Sequence, residues 1–449
     1  MLCVAQFVLV LDATIVTTAL PSMGRSLDLT VVGLSWVVTG YTLTFGGLLV
    51  LGGRVADLAG PRRVLLVGLG LFAAASLACA AAWSGPMLVG ARLVQGAGAA
   101  VMCPAALALL TQVAGSEDGR RRAVGWWTAA AATGGASGWV AGGLLTDSFG
   151  WRSVFWVNVP LAVAGLVASR SLLPPGRRSS GVALDLPAAV GLTAALALLV
   201  LGLTSAAEAG LGAAVTWVPL LVATVVTVWV LRHERRAADP LLPLGMLRGP
   251  VAGSSLSALA LTASTTPAMM LSVLYLQQVL HLSAVRASML FPIFNVAVTV
   301  ASLLGARVLA RLGARVTTTS GFGAIAVGAG LLALLPVMGS PVAVVLLAFT
   351  AMGAGLGIAS VTSTHVGTAG ASPAYRGVVS GVLTAAAQVG TTVGLALLVP
   401  VAGQTSLAAG FAGAAMVALV GTWCGRLLPG RSDSPALSVP PRLADRVSE

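Results

Sequence analysis

GGRVADLAGPR, residues 52–62, returns in altered form as GARVLARLGAR, residues 305–315, at an offset of 253 positions. Gly52, Arg54, Val55, Gly60 and Arg62 keep their identity in the second copy. Each copy closes the second long apolar run of its half of the chain and leads through a short turn into a third run. Two related halves of this kind are a recurrent plan among membrane transporters.

The composition calls for an apolar solvent. Of the 449 residues, 57% are hydrophobic and only 8% are charged, whereas soluble chains carry about a quarter charged residues. A bilayer crossing needs roughly 20 apolar residues, and with no water to satisfy the backbone each crossing must be helical. Apolar runs bounded by Arg, Pro or Gly clusters predict fourteen spans, at 2–23, 34–53, 64–83, 86–112, 122–145, 152–172, 183–203, 213–231, 250–278, 286–309, 316–336, 341–363, 377–399 and 406–428. The expected fold class is therefore all-α integral membrane, a six-plus-six helix core with two extra central helices. The expected units are a first half at 1–181, two inserted helices at 182–232, a loop at 233–249, a second half at 250–429 and a polar, disordered tail at 430–449.

Charge gives orientation. The net charge is +12 and every basic residue other than histidine is arginine. The arginines form short clusters between spans rather than one basic face, which argues against a nucleic-acid surface. With both termini on the cytoplasmic side, Arg62, Arg63, Arg120 to Arg122, Arg177, Arg178, Arg232, Arg235, Arg236, Arg311 and Arg315 all fall in cytoplasmic loops or helix ends, as the positive-inside rule demands. Arg25, Arg152 and Arg286 fall on the other side, and Arg92 lies within a span. Trp83, Trp151, Trp217 and Trp423 stand near span ends, as an aromatic belt requires, while Trp139 is too deep for one. The first run lacks a basic n-region and carries Asp12 at its centre, so it reads as a retained span, with room for a start upstream of Met1.

Three stretches carry polar or small residues where hydrocarbon should forbid or ignore them. LDATIVTTALP (11–21) sets Asp12 inside a span, where a carboxylate is expensive and a functional role is the default expectation; its carboxyl can take and release a proton. RLVQGAGAA (92–100) places Arg92 and Gln95 three apart on one helix face. Arginine stays protonated, so it must be paired or face water. GGASGWVAGG (134–143) repeats glycine at 134, 138 and 142, a stripe that lets helix backbones approach closely. For each, ordinary packing or a structural ion pair is the competing explanation. The cysteines Cys3, Cys79, Cys103 and Cys424 stand singly and read as small apolar residues.

In this order, LDATIVTTALP, GGRVADLAGPRR, RLVQGAGAA, GGASGWVAGG and GWRSVFWVNVP together resemble the major facilitator superfamily. More narrowly they resemble its fourteen-helix drug:proton antiporters of the EmrB/QacA type; AADPLLPLGMLR (237–248) and YRGVVSGVLTAAAQVG (375–390) resemble that group's second-half features. The resemblance implies that Gly53, Asp57, Gly60 and Arg62 form a cytoplasmic gating turn. It implies that Asp12 and Arg92, with Gln95 beside them, take part in proton coupling, and that Gly134, Gly138, Gly142 and Gly143 belong to the antiporter helix. Leu58 and Pro61 replace residues that are usually basic, and Trp139 replaces the usual proline.

The function expected is proton-driven efflux of small lipophilic compounds by alternating access, by a monomer in the bacterial cytoplasmic membrane with protons as the coupling ion and no cofactor. Pro267, Met269 and Met270 are expected to form an adaptable apolar wall for cargo. Exchange or uptake of one metabolite is the alternative; it calls for charged groups around the cargo, which are few. A membrane enzyme or sensor needs a catalytic cluster, yet only His233, His281 and His365 occur, far apart. A Walker-type phosphate loop needs a lysine that the chain lacks.

Overall fold

A computed structural model describes residues 2–114, 117–172, 185–210, 212–237, 249–337, 341–369 and 376–428. The first part contains α1 (Leu2–Leu27), α2 (Val31–Ala59), α3 (Pro61–Ala80), α4 (Gly85–Val113), α5 (Glu117–Phe149), the short α6 (Ser153–Trp156) and α7 (Asn158–Leu172). A hairpin of α8 (Leu186–Ala209) and α9 (Ala214–Arg236) follows. Then come α10 (Pro250–Leu274), a π-helical turn (Tyr275–Val279), α11 (Ala284–Ser288), α12 (Pro292–Ala333), a 3₁₀ turn (Leu335–Val337), α13 (Pro341–Ala369), α14 (Arg376–Gln404) and α15 (Leu407–Arg426). Among the described residues there is no strand.

Thirteen stretches are long and apolar enough to cross a bilayer, α6 with α7 counting as one and α12 as part of two. α5 is less apolar than these, with glycine, threonine, serine and tryptophan through its middle, but its 33 residues exceed the length of a crossing. The runs expected at 286–309 and 316–336 stand as two helices that meet end to end within α12 at a kink at Gly313, whose φ is 79° and ψ 165°. Gly60, between α2 and α3, has φ 91° and ψ 126°. These two glycines occupy the same place in the two copies of the repeat, and both adopt a left-handed backbone that a Cβ would strain. The expected tail at 430–449 and most of the loop at 233–249 lie outside the described residues.

Within the first part α1 packs on α5, and α4 on α2 and α3; within the last part α10 packs on α14, and α12 on α13 and α15. Small residues allow these approaches. A Cβ on Gly52 would strike the Ala100 carbonyl of α4, and one on Gly390 or Gly394 would strike α10 at Leu259 or Ala263. The α8–α9 hairpin leans on the seam between the parts, where Leu43 of α2, Leu196 and Val200 of α8 and Ala396 of α14 form one cluster.

Across the seam, contacts gather at the end remote from the Gly60 turn. Gln277, in the π turn, donates to the Thr18 carbonyl of α1 at 3.0 Å. Asp147, near the end of α5, accepts from the backbone N–H groups of Ala284 and Val285 at 3.2 and 3.0 Å. Trp139 of α5 stacks on Phe291 with ring centres 4.1 Å apart, so the residue that replaces a proline joins the two parts. Nearer mid-depth, the Thr42 and Thr392 hydroxyls are 2.9 Å apart.

Two expectations need correction. Trp151 does not belong to an aromatic belt: it is 3% exposed, edge-on to Phe155 and covered by the Arg152 guanidinium. Pro267, Met269 and Met270 do not line an open cavity, because the turn of α10 they occupy faces inward and all three are buried.

Candidate functional site

Asp12 stands on the eleventh residue of α1, about 15 Å along a helix about 39 Å long at 1.5 Å per residue. Its side chain is completely buried. The Arg92 guanidinium of α4 donates through Nη1 to Asp12 Oδ2 at 2.6 Å, Gln95 Nε2 donates to Oδ1 at 2.9 Å and Asn158 Nδ2 donates to Oδ1 at 2.6 Å. The carboxylate thus has three donors from two other helices, α4 and α7.

Arg92 is held as tightly. Nε donates to the Val37 carbonyl of α2 at 3.0 Å and Nη1 also reaches Gln95 Oε1 at 2.6 Å. The guanidinium carbon lies 4.3 Å from the centre of the Tyr41 ring, a geometry in which the ring face attracts the cation. Gln95 completes the knot by donating to Ser76 Oγ of α3 at 2.9 Å, and Ser76 donates to the Phe72 carbonyl. The three-residue spacing of Arg92 and Gln95 brings both side chains to the α1-facing side of α4. Of the two conditions the sequence allowed for Arg92, pairing or water, the protein uses pairing: Arg92 is 1% exposed.

Such a cluster joins α1, α2, α3, α4 and α7 through one charged pair and its supports. A buried pair of this kind is not by itself evidence for stability, since desolvation offsets its attraction. Its distinctive property is that neutralising one carboxyl changes the bonding of several helices at once. Asn158 and Ser76 were not singled out by sequence; an amide followed by Pro160 in an apolar run was the available signal for Asn158. Asn158 Oδ1 is buried without a hydrogen-bond partner among the described residues.

The expected gating turn is a real turn with divided roles. Gly60 makes the reversal. Arg62, one residue into α3, donates through Nε to the Ser169 carbonyl at 3.4 Å and through Nη2 to the Arg170 carbonyl at the end of α7, where a cation suits the exposed carbonyls. Asp57 is exposed. Gly53 has room, since a Cβ there would meet only Pro104, at 3.8 Å, so the close α2–α4 approach belongs to Gly52.

The fifth-helix glycines face two ways. A Cβ on Gly134, Gly138 or Gly142 would lie 2.6, 2.9 and 2.9 Å from the carbonyls of Phe7, Leu11 and Ile15 on α1. Gly143 instead faces the last part of the chain, where a Cβ would lie 2.8 Å from the Ala284 carbonyl and would strike the Ser288 hydroxyl. The stripe therefore holds Asp12's helix, and Gly143 holds the seam.

Comparison with known proteins agrees with this architecture. The family model of the Major Facilitator Superfamily matches residues 2–395. The chain is 38% identical to the cephamycin export protein of Amycolatopsis lactamdurans over 90% of its own length and 84% of that protein. It is 37% identical to a puromycin resistance protein of Streptomyces alboniger, over 88% and 79% of the two chains. It is 33% identical to the lincomycin resistance protein of Streptomyces lincolnensis, over 89% and 83%. Among solved structures, it resembles a partially occluded inward-open form of the E. coli xylose transporter, with a TM-score of 0.65, 12% identity and coverage of 97% and 98%. It also resembles a POT family transporter, with a TM-score of 0.69, 15% identity and coverage of 95% and 96%. This chain belongs to the major facilitator superfamily, and it is a multi-pass membrane transporter rather than an enzyme.

Proposed function

We propose that this transporter exports small lipophilic molecules, antibiotics among them, across the bacterial cytoplasmic membrane in exchange for protons. The three relatives named for cephamycin export, puromycin resistance and lincomycin resistance support the cargo class. The observation that carries proton exchange is the buried Asp12 carboxylate, bonded to Arg92, Gln95 and Asn158 at mid-depth. A proton on Asp12 removes the charge that Arg92 faces and loosens the ties between α1, α4 and α7; its release restores them. Residues 1–181 and 250–429 are the two rocking halves in this reading. The arginine bias sets both termini and the Gly60 turn on the cytoplasmic side. Closure through Gln277, Asp147 and Trp139 at the other end then corresponds to the state that faces the cytoplasm.

The test is a susceptibility panel in a pump-deficient bacterium with and without this protein, repeated with a protonophore. Raised resistance to several lipophilic antibiotics that disappears with the protonophore is the expected result. Resistance that survives the protonophore would overturn proton exchange, and no change in resistance or accumulation of any compound would overturn export.

A further inference from the structure

Between α10, α13 and α14 lies a cavity of about 210 Å³ that shares no residue with the Asp12 cluster. Its wall combines aliphatic residues such as Leu261, Leu356 and Leu383 with the hydroxyls of Thr262, Ser360, Ser363, Thr364, Ser380 and Thr384, and no charged side chain lines it. Ser360 and Thr364 are exposed at the mouth, whereas Ser363 is buried.

The hydroxyls are not equivalent. Thr262 donates to the Ala387 carbonyl at 2.6 Å, and Thr384 donates to the Ser380 carbonyl at 3.0 Å. With their protons so committed, both offer oxygen lone pairs. Ser363 is 2% exposed and its Oγ has no hydrogen-bond partner among the described residues. A buried hydroxyl left in that condition is costly, and a polar atom from a bound molecule relieves it.

We propose that this cavity is a cargo subsite for an uncharged amide- or hydroxyl-bearing portion of the transported molecule. The ligand's N–H or O–H meets Thr262 and Thr384, and its oxygen accepts from Ser363. Charge is disfavoured because the chain has no Asp or Glu between Asp239 and Asp433 and an unpaired buried ion is strongly penalised. The volume is smaller than the roughly 300–1,000 Å³ of sites that enclose a drug-sized ligand, so the subsite takes one polar arm of such a molecule. The inference rests on the export reading and adds that cargo and proton occupy different halves, so their coupling runs through helix movement rather than competition for one carboxylate.

Equilibrium binding to the purified protein in lipid nanodiscs tests this, with no pH gradient imposed. The probes are radiolabelled chloramphenicol, a neutral amide with two hydroxyls, and tetraphenylphosphonium, a monocation with no hydrogen-bonding group. Ser363→Ala and Thr384→Val should each weaken chloramphenicol binding about three- to tenfold, the range for one lost hydrogen bond, and leave tetraphenylphosphonium binding unchanged. Equal losses for both probes, unmoved chloramphenicol binding in both variants, or no saturable chloramphenicol binding by the parent protein would each overturn the subsite. A parent protein that binds chloramphenicol with this pattern yet pumps nothing would leave the subsite standing and remove the export reading instead.

Discussion

Asp12 Oδ2 and Arg92 Nη1 lie 2.6 Å apart across 80 residues of sequence, and both side chains are sealed from solvent. Gln95 and Asn158 hold the other carboxylate oxygen, so Asp12→Asn keeps the shape, removes the charge and the exchangeable proton, and, with its oxygen still facing Gln95 and Asn158, turns an amide donor toward Arg92 where an acceptor stood. Drug efflux in cells expressing this variant should fall to background at an unchanged membrane level, read by dye accumulation beside an immunoblot. Full activity at equal expression would remove Asp12 from the coupling step.

Arg92 answers to a different requirement, because one flat cation meets Val37, Asp12 and Gln95 together while lying over Tyr41. A lysine ammonium carries the charge but cannot span those acceptors in the same plane. Arg92→Lys should therefore lose at least tenfold in transport while remaining folded. Arg92→Ala, which leaves the buried carboxylate without a countercharge, should cost about 3–5 kcal/mol of stability. Thermal melts of the detergent-solubilised variants beside transport rates separate the two effects, and an Arg92→Lys variant with parental rates would show that charge alone suffices.

The fifth helix offers a comparison between two glycines. Gly138→Leu forces α5 away from the Leu11 carbonyl of α1 and should disturb the first half, lowering thermal stability together with transport. Gly143 lies off the stripe and packs against Ala284 and Ser288 instead. Gly143→Leu should leave the first half intact and prop open the end remote from Gly60. Labelling rates of single cysteines placed at that end should rise in Gly143→Leu and not in Gly138→Leu; the reverse pattern would exchange their roles.

Why some of this was legible in sequence and some was not follows from the solvent. Hydrocarbon fixes the length of a crossing and makes Asp12, Arg92 and Gln95 conspicuous among aliphatic neighbours. The repeat exposed Gly60 and Gly313, since a left-handed turn leaves little choice of residue. Asn158 bears no charge and stood out less, although it touches the same carboxylate as Arg92. Helix facing was the least legible property: neighbouring glycines 142 and 143 point to different partners, and Met269 and Met270 turn into the core. Those outcomes depend on which helix lies opposite, and that is decided by tertiary packing. Gly390 and Gly394, the α14 counterpart of the α5 stripe, carried a four-residue spacing that sequence reading could have used.

Asp147 caps the first N–H groups of α11 from the other side of the seam. A side-chain cap contributes about 1 kcal/mol, enough to shift a two-state balance about fivefold. Asp147→Ala should therefore move the protein toward the state open at the end remote from Gly60, with little loss of overall stability. Distance distributions between spin labels on α5 and α11 measure the shift; unchanged distributions would show that the cap does not bias the cycle.

Selectivity follows from where the acids are. No Asp or Glu occurs between Asp239 and Asp433, so α10 to α15 present no carboxylate to cargo. In the first half Asp12 is enclosed by its three donors and cannot meet a cargo cation without leaving Arg92 unpaired. A rigid dication such as a diamidine must then enter with at least one charge uncompensated, and burying an unpaired charge costs several kcal/mol. At 1.4 kcal/mol per factor of ten, even a fraction of that cost lowers apparent affinity at least tenfold. In inverted membrane vesicles with an imposed pH gradient, the monocation of a matched pair should be transported at least tenfold more effectively than its dicationic partner. Equal transport of the two would mean that ring faces and backbone carbonyls compensate the second charge, and the shortage of carboxylates would no longer set selectivity.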